Sequence, residues 1–173
     1  LLDPPPGADH LEVLRWRQQF DSAHAAIYFP WVVVLEGGRQ RAVPPCGHIA
    51  GIFARSDAVE GVHKAPANEQ IEGIVDLDTL LLDQHLAELN HSGINCMRSF
   101  AARGLRVWGA RTLSSDPEWR FLNVRRTISA ISAAIEEGTQ WVVFEPNGPR
   151  LWKRVARNIT AFLMGLRERG MLV

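Results

Sequence analysis

Two apolar stripes at helical spacing in the last third of the chain constrain its fold more than any other feature. Val124, Ile128, Ile131 and Ile135 recur at the 3.6-residue period, and so do Leu151, Val155, Ile159, Phe162, Leu163 and Leu166. Asn123 can cap the first stripe and Gly138 can end it, while Pro146-Asn147-Gly148-Pro149 supplies a turn before the second. The spacing predicts helices over 123–137 and 149–168. Between them Trp141-Val142-Val143-Phe144 reads as a buried strand over 140–145. A fully buried aliphatic side chain contributes about 1.5–3 kcal/mol before entropy is subtracted, so the second stripe must dock on something.

Upstream the signals alternate between helix and strand. After Pro4-Pro5-Pro6, Asp9 with Glu12 three residues later forms a capping-box pattern, and Leu11, Val13, Leu14 and Phe20 extend a helix to about residue 26. Residues 27–35 are β-branched and aromatic, interrupted by Pro30 and ended by Gly37-Gly38, which predicts a core strand entered near a sheet edge. Pro44-Pro45 precedes a small-residue helix over 47–54, and 55–69, with Gly61 and Pro66, reads as a long surface loop. A helix is expected over 77–89, and Ser92-Gly93 then turns the chain into short strands at 94–100 and 105–110. Asp116-Pro117 biases the backbone away from helix where strands give way to long helices, so a domain division is expected at 114–117.

Charge and composition restrict function by exclusion. The 173 residues carry 19 basic and 19 acidic side chains, so no net charge draws the whole molecule to nucleic acid or anionic lipid. Cys46 and Cys96 stand far apart, without C-x-x-C or Cys/His ligand spacing, and read as free thiols in a reducing interior. No apolar run reaches the roughly 18 residues of a membrane span, and the start lacks a signal-peptide layout. A soluble protein without membrane insertion is expected.

Few residues propose chemistry. His48 and His63 lack H-E-x-x-H company and read as a packed helix residue and a loop residue making a structural hydrogen bond. Gly104 and Gly109 suggest a phosphate loop, yet no Lys-Ser or Lys-Thr follows. No catalytic residue, metal ligand set or cofactor site is expected. Arg150, Lys153, Arg154 and Arg157 fall at i, i+3, i+4 and i+7, which places four cations on one face of the last helix. That face is either solvated or meets acidic groups on a partner. Among the tryptophans Trp108, Trp119, Trp141 and Trp152, Trp141 is expected in a core, and Trp119 after Asp116-Pro117 is the better interface candidate.

One long stretch is more particular than any of these patterns: Gly104-Leu105-Arg106-Val107-Trp108-Gly109-Ala110-Arg111-Thr112-Leu113-Ser114-Ser115-Asp116-Pro117-Glu118-Trp119. Together with Gly61-Val62-His63-Lys64-Ala65-Pro66-Ala67-Asn68, Leu89-Asn90-His91-Ser92-Gly93-Ile94-Asn95 and Glu136-Glu137-Gly138-Thr139-Gln140-Trp141-Val142-Val143-Phe144-Glu145-Pro146-Asn147, it resembles contractile tail-sheath proteins of phage tails and injection systems. The resemblance implies an α/β fold. Residues 1–113 would be the end of a subtilisin-like, largely parallel-sheet core, and 114–173 the start of a small α+β C-terminal domain. It also implies a fragment that lacks both terminal arms of the sheath subunit.

The function so implied is mechanical: a helical sheath around an inner tube, contracting to drive the tube through an envelope. Its implied partners are other sheath copies, the inner tube protein, and baseplate and terminator proteins, with no direct nucleic acid. Its place would be a virion tail or injection-system particle assembled in the bacterial cytoplasm. The basic face of the last helix and Trp119 are then candidates for tube or neighbour contact. Pro45-Cys46-Gly47-His48-Ile49-Ala50-Gly51 is in turn similar to the histidine helix of subtilisin-type proteases. Five residues before that histidine this chain has Val43, which offers no hydroxyl or thiol as a nucleophile. A degenerate or active peptidase, with Cys46 as a displaced thiol, is one alternative, and a repurposed cytoplasmic binding module is another.

Overall fold

Pro30 divides the apolar run at 27–35 into two strands that belong to different sheets. The computed structural model describes residues 1–172. In it β1 (Ile27–Phe29) ends at a cis Phe29–Pro30 bond and β2 (Val32–Glu36) begins two residues later. A proline has no N–H for a ladder, which suits it to the crossing point. Gly37 and Gly38, at φ +56° and +78°, form a tight two-residue turn into β3 (Arg39–Val43), with Glu36 opposite Arg39. Such turns require positive φ at both central positions, so these glycines make a hairpin and do more than end a strand. The strand β3 escapes sequence patterning because Arg39, Gln40 and Arg41 are polar and exposed along it.

The first sheet has the order β1-β5-β6, with β5 (Ile94–Phe100) parallel to β1 and antiparallel to β6 (Gly104–Trp108). The second has the order β3-β2-β4, antiparallel throughout, where β4 is Asp76–Leu77. A largely parallel sheet is therefore corrected to two small sheets with one parallel pairing. The reason lies in connection lengths: a few residues suffice for the turns into β3 and β6, whereas parallel strands need a long crossover.

The crossover between β1 and β5 carries α2 (Cys46–Val59) and α3 (Asp83–His91), while α1 (His10–Arg17) precedes β1. Alternate residues of the first sheet enter opposite clusters. Ile27, Phe29, Ile94 and Cys96 pack with Val13 of α1 and Leu86 and Leu89 of α3. Ala26, Tyr28, Met97 and Val107 pack with Ile49 and Ile52 of α2. The sheet is thus covered by helices on both faces, the α/β arrangement, and period-2 alternation sorts its side chains between two cores.

Helix limits shift where tertiary bonds compete. Asp9 Oδ1 accepts from Glu12 N at 2.8 Å and Asp9 N donates to Glu12 Oε2 at 3.0 Å, completing the capping box of α1. The helix ends at Arg17, well before residue 26: the N–H groups of Gln18, Gln19 and Phe20 close tight turns onto the carbonyls of Arg15, Trp16 and Arg17. The Arg17 side chain then captures the Phe20 carbonyl. Helix α2 continues to Val59, into the expected loop, because Ser56 is drawn into the buried face beyond Ile49 and Ile52. The expected helix at 77–89 starts only at Asp83.

By contacts the chain separates into Leu1–Arg125 and the residues from Arg126 onward. The stretch 114–117 is tied into the first of these units: Ser115 donates through its N–H and its hydroxyl to Asp21, at 2.9 and 2.6 Å. Helix α4 (Leu122–Gly138) runs from the end of the first unit into the second, which also holds α5 (Pro149–Glu168). Gly148 stands extended before α5 and Pro149 occupies its first turn, where a missing N–H costs nothing. Leu151, Val155, Ile159, Phe162 and Leu163 are half-buried and Leu166 is buried, as the stripe predicts.

The strand over 140–145 is not formed. Residues 140–142 make a 3-10 turn, and the N–H groups of Val142, Val143 and Glu145 donate to Thr139, Gln140 and Val142. A lone apolar segment needs a neighbouring strand to take its backbone groups, and no described residue of the second unit is in a strand. As described, this unit is helical, not α+β.

Candidate functional site

The helical turn of α5 brings its four spaced cations together. Arg150, Lys153, Arg154 and Arg157 are all exposed and line one shallow depression, and no carboxylate among the described residues lies within 4.0 Å of them. Arg154 is oriented: its guanidinium lies 4.1 Å from the centre of the Trp141 ring, a cation–π contact that also explains why Trp141 is half-buried and not core. The Trp141 indole N–H donates to the Gly138 carbonyl at 3.0 Å, and that of Trp152 to Asn147 Oδ1 at 2.7 Å. Beside the cations, residues 145–151 and Arg154 line a second cleft of about 490 Å³.

Val143 and Phe144 are 68% and 98% exposed. Patterning assigns both to a buried strand and so misses them as surface groups. The signal against burial is the Pro146-Asn147-Gly148-Pro149 turn, which follows before any partner strand could pair. Trp119 belongs to the first unit, apart from the four cations in sequence and in unit. It ends a 3-10 turn at Pro117–Trp119, is half-buried, and carries the Arg125 guanidinium 4.7 Å over its ring. Its carbonyl accepts from Thr112 Oγ1 at 2.6 Å. Trp108 is 40% exposed and its ring lies 5.0 Å from that of Phe100, tilted at 60°, while Arg98 and Arg103 flank Phe100 at 4.8 and 4.4 Å.

Positions that could carry hydrolytic chemistry are disarmed. His48 is half-buried in α2, and Val43 closes β3 with no hydroxyl or thiol to offer. Burial, then the Asp3 carboxylate, pushes the Cys46 thiol from 9.0 up to about 12. Burial alone does the same to Cys96. Both are therefore protonated and unreactive near neutrality. Iodoacetamide at pH 8 is expected to spare both thiols in the folded chain and to label both after denaturation. Prompt labelling of Cys46 while the chain is folded would restore it as a nucleophile. A raised thiol pKa stabilises the fold below the unfolded value near 9 and loses that contribution as pH climbs toward 12, so stability should fall across that alkaline window.

His63 makes no structural hydrogen bond through Nδ1, which is buried without a partner against Gly61. Gly104, at φ +70°, turns the chain into β6, while Gly109 lies against Asn95, so neither forms a phosphate loop. Among the described residues no group of three or more His, Cys, Asp or Glu is placed to hold a metal, and no helix is long and apolar enough to cross a membrane.

Comparison with known proteins assigns the whole chain. Residues 1–113 match the phage tail sheath protein central domain, and residues 114–173 match the phage tail sheath C-terminal domain. Among curated proteins, a putative prophage major tail sheath protein of Pseudomonas aeruginosa is 29% identical over 179 residues, covering 100% of this chain and 46% of that protein. Among solved structures, the PVC sheath complex of an extracellular contractile injection system in its contracted state superposes with a TM-score of 0.88. It is 32% identical to this chain and covers 99% of it and 48% of its own length. A chain in the baseplate structure of the anti-feeding prophage has a TM-score of 0.82 and 41% identity, over 87% of this chain and 41% of that one. The chain thus spans less than half the length of these relatives. Matched along its full length by models of two successive sheath domains, it belongs to the phage tail sheath family.

Proposed function

We propose that this chain is the central-to-C-terminal portion of a contractile sheath subunit, which polymerises as a helical tube around an inner tube and shortens to drive it through a target envelope. The observation that carries this reading is the likeness, over 99% of the chain, to a sheath complex in its contracted state. Heterologous contacts that do not close into a ring generate an open helix, and a lattice with two packings can release free energy by moving between them. Residues 1–113 are read as the end of a subtilisin-like core, supported by helices on both sheet faces and by the His48 helix, and residues 114–173 as the start of the C-terminal domain. Other sheath copies, the inner tube, baseplate and terminator proteins are the proposed partners. The particle is a phage tail or injection system assembled in the bacterial cytoplasm.

The basic face of α5 is read as a contact to acidic groups on the tube. Exposed cations that lack carboxylates of their own are screened by salt and released without a large desolvation cost, which suits a contact that must hold and then slide. The test is co-expression of the arm-bearing subunit with its cognate tube protein, followed by negative-stain electron microscopy. Striated tubes that retain the inner tube are expected, and Arg154→Glu with Arg157→Glu should leave the sheath lattice but lose the tube. Folded monomers of both proteins under the same conditions would overturn the sheath reading. A reversed variant that keeps its tube would overturn the role of the basic face.

A further inference from the structure

Between the C-terminal ends of α1 and α3 and the irregular stretch 111–121 lies a polar cleft of about 400 Å³. Three guanidiniums, from Arg17, Arg111 and Arg120, line it together with His91, and none of its lining residues is acidic. Arg17 is fixed: Nε donates to Ser92 O at 2.6 Å, Nη1 to Phe20 O at 2.5 Å and Nη2 to Leu113 O at 3.0 Å. Gly93, at φ +82°, admits the Thr112 carbonyl at this side of the cleft, since a Cβ would stand 3.0 Å from that oxygen.

The other two arginines are uncommitted. The Arg111 guanidinium lies 5.9 Å from the centre of the Phe121 ring and makes no hydrogen bond among the described residues, and the Arg120 side chain is exposed. No carboxylate among the described residues lies within 4.0 Å of any of the three. The carboxylate of Asp21 is already held by the Ser115 N–H and hydroxyl. Ser114 Oγ accepts from Asp116 N at 3.1 Å and keeps its own proton available.

We propose that this cleft is an oxyanion-binding site, taking a carboxylate or phosphate group between Arg111 and Arg120 with Arg17 as its immobile wall. The Ser92, Phe20 and Leu113 carbonyls occupy Arg17 donors, so the free guanidinium forks offered to the anion are those of Arg111 and Arg120, whose planar geometry suits two-oxygen ligands. A rigid wall limits the ordering cost of binding. The oxyanion has two possible sources, a side-chain carboxylate of a second copy or a free anion in solution.

The 173-residue chain itself serves as the test, isotope-labelled and titrated at low salt with inorganic phosphate against chloride of matched ionic strength. Saturable amide shifts are expected at Gly93, Thr112 and Ser114. Arg111→Gln and Arg120→Gln should each weaken them about tenfold or more, as loss of a charge-assisted hydrogen bond does, while Lys153→Gln leaves them unchanged. Arg120→Gln removes no side-chain hydrogen bond or ion pair among the described residues, so its fold is preserved even if Arg111→Gln loosens the contact with Phe121. A dilution series without phosphate separates the sources. Shifts at the same amides that follow protein concentration, and that phosphate competes away, assign the group to a second copy; shifts with phosphate alone assign it to a free anion. Absence of shifts in both series, shifts confined to α5, or equal binding by Arg120→Gln would overturn the proposal.

Discussion

Asn95→Leu is expected to lower the unfolding free energy by about 2–5 kcal/mol, read as a fall in urea midpoint at unchanged slope. Asn95 is wholly buried in β5 and its amide makes three hydrogen bonds. Its Nδ2 donates to Arg111 O at 2.8 Å and Ile27 O at 3.1 Å, and its Oδ1 accepts from Arg111 N at 2.6 Å. Leucine leaves the Arg111 N–H and carbonyl without those partners, and each unmet buried group costs about 1–3 kcal/mol. It also adds bulk where none fits, because Gly109 approaches so closely that a Cβ there would stand 2.9 Å from Asn95 Oδ1 and 3.0 Å from its Cα. A loss under about 1 kcal/mol would show that water replaces the amide and that the network is not what joins β1, β5 and residues 109–111.

Leu89→Ala is expected to cost a further-reaching 2–5 kcal/mol, in the range for deleting a buried leucine that leaves a cavity. Leu89 is fully buried among Val13, Ile27, Phe29 and Ile94. It and Leu86 are the buried side chains of α3, so the nine-residue helix depends on them to dock. Helices this short have little stability of their own. The informative comparison is Ile159→Ala on α5, a half-buried position, where the loss should be clearly smaller in the same denaturation experiment. Equal losses would mean that Ile159 is as deeply packed as Leu89 under the conditions of measurement.

What the sequence discloses and what it hides divide along the range of the forces involved. Helices α4 and α5 are legible almost to the residue: 123–137 expected against Leu122–Gly138, and 149–168 against Pro149–Glu168. Their periods, the Gly138 stop and the Pro149 start are local. The α1 capping box is legible for the same reason. The end of α1 is not, because the local turns at 18–20 that close it are accompanied by a guanidinium bonded to carbonyls 75 and 96 positions away. The 140–145 segment misleads because apolar character indicates burial only when a partner is at hand. In the candidate site, the cationic face follows directly from i, i+3 and i+4 geometry, whereas exposed Phe144 is missed with its strand. The arginine cleft gathers residues from 17, from 91–93 and from 111–120, so no window of sequence displays it.

The parallel pairing of β1 with β5 also places a demand on synthesis. Asn95 of β5 and Ile27 of β1 stand 68 positions apart, so when β1 leaves the ribosome its partner has not been made. The hairpin of β2 and β3 can close within its own few residues, but β1 cannot, and loop closure over such a span adds an entropic cost before any ladder bond repays it. At about 5–20 residues per second, Ile27, Tyr28 and Phe29, all buried in the finished fold, wait several seconds in water. That exposed triplet is the point at which nascent chains can find each other before they find their own β5.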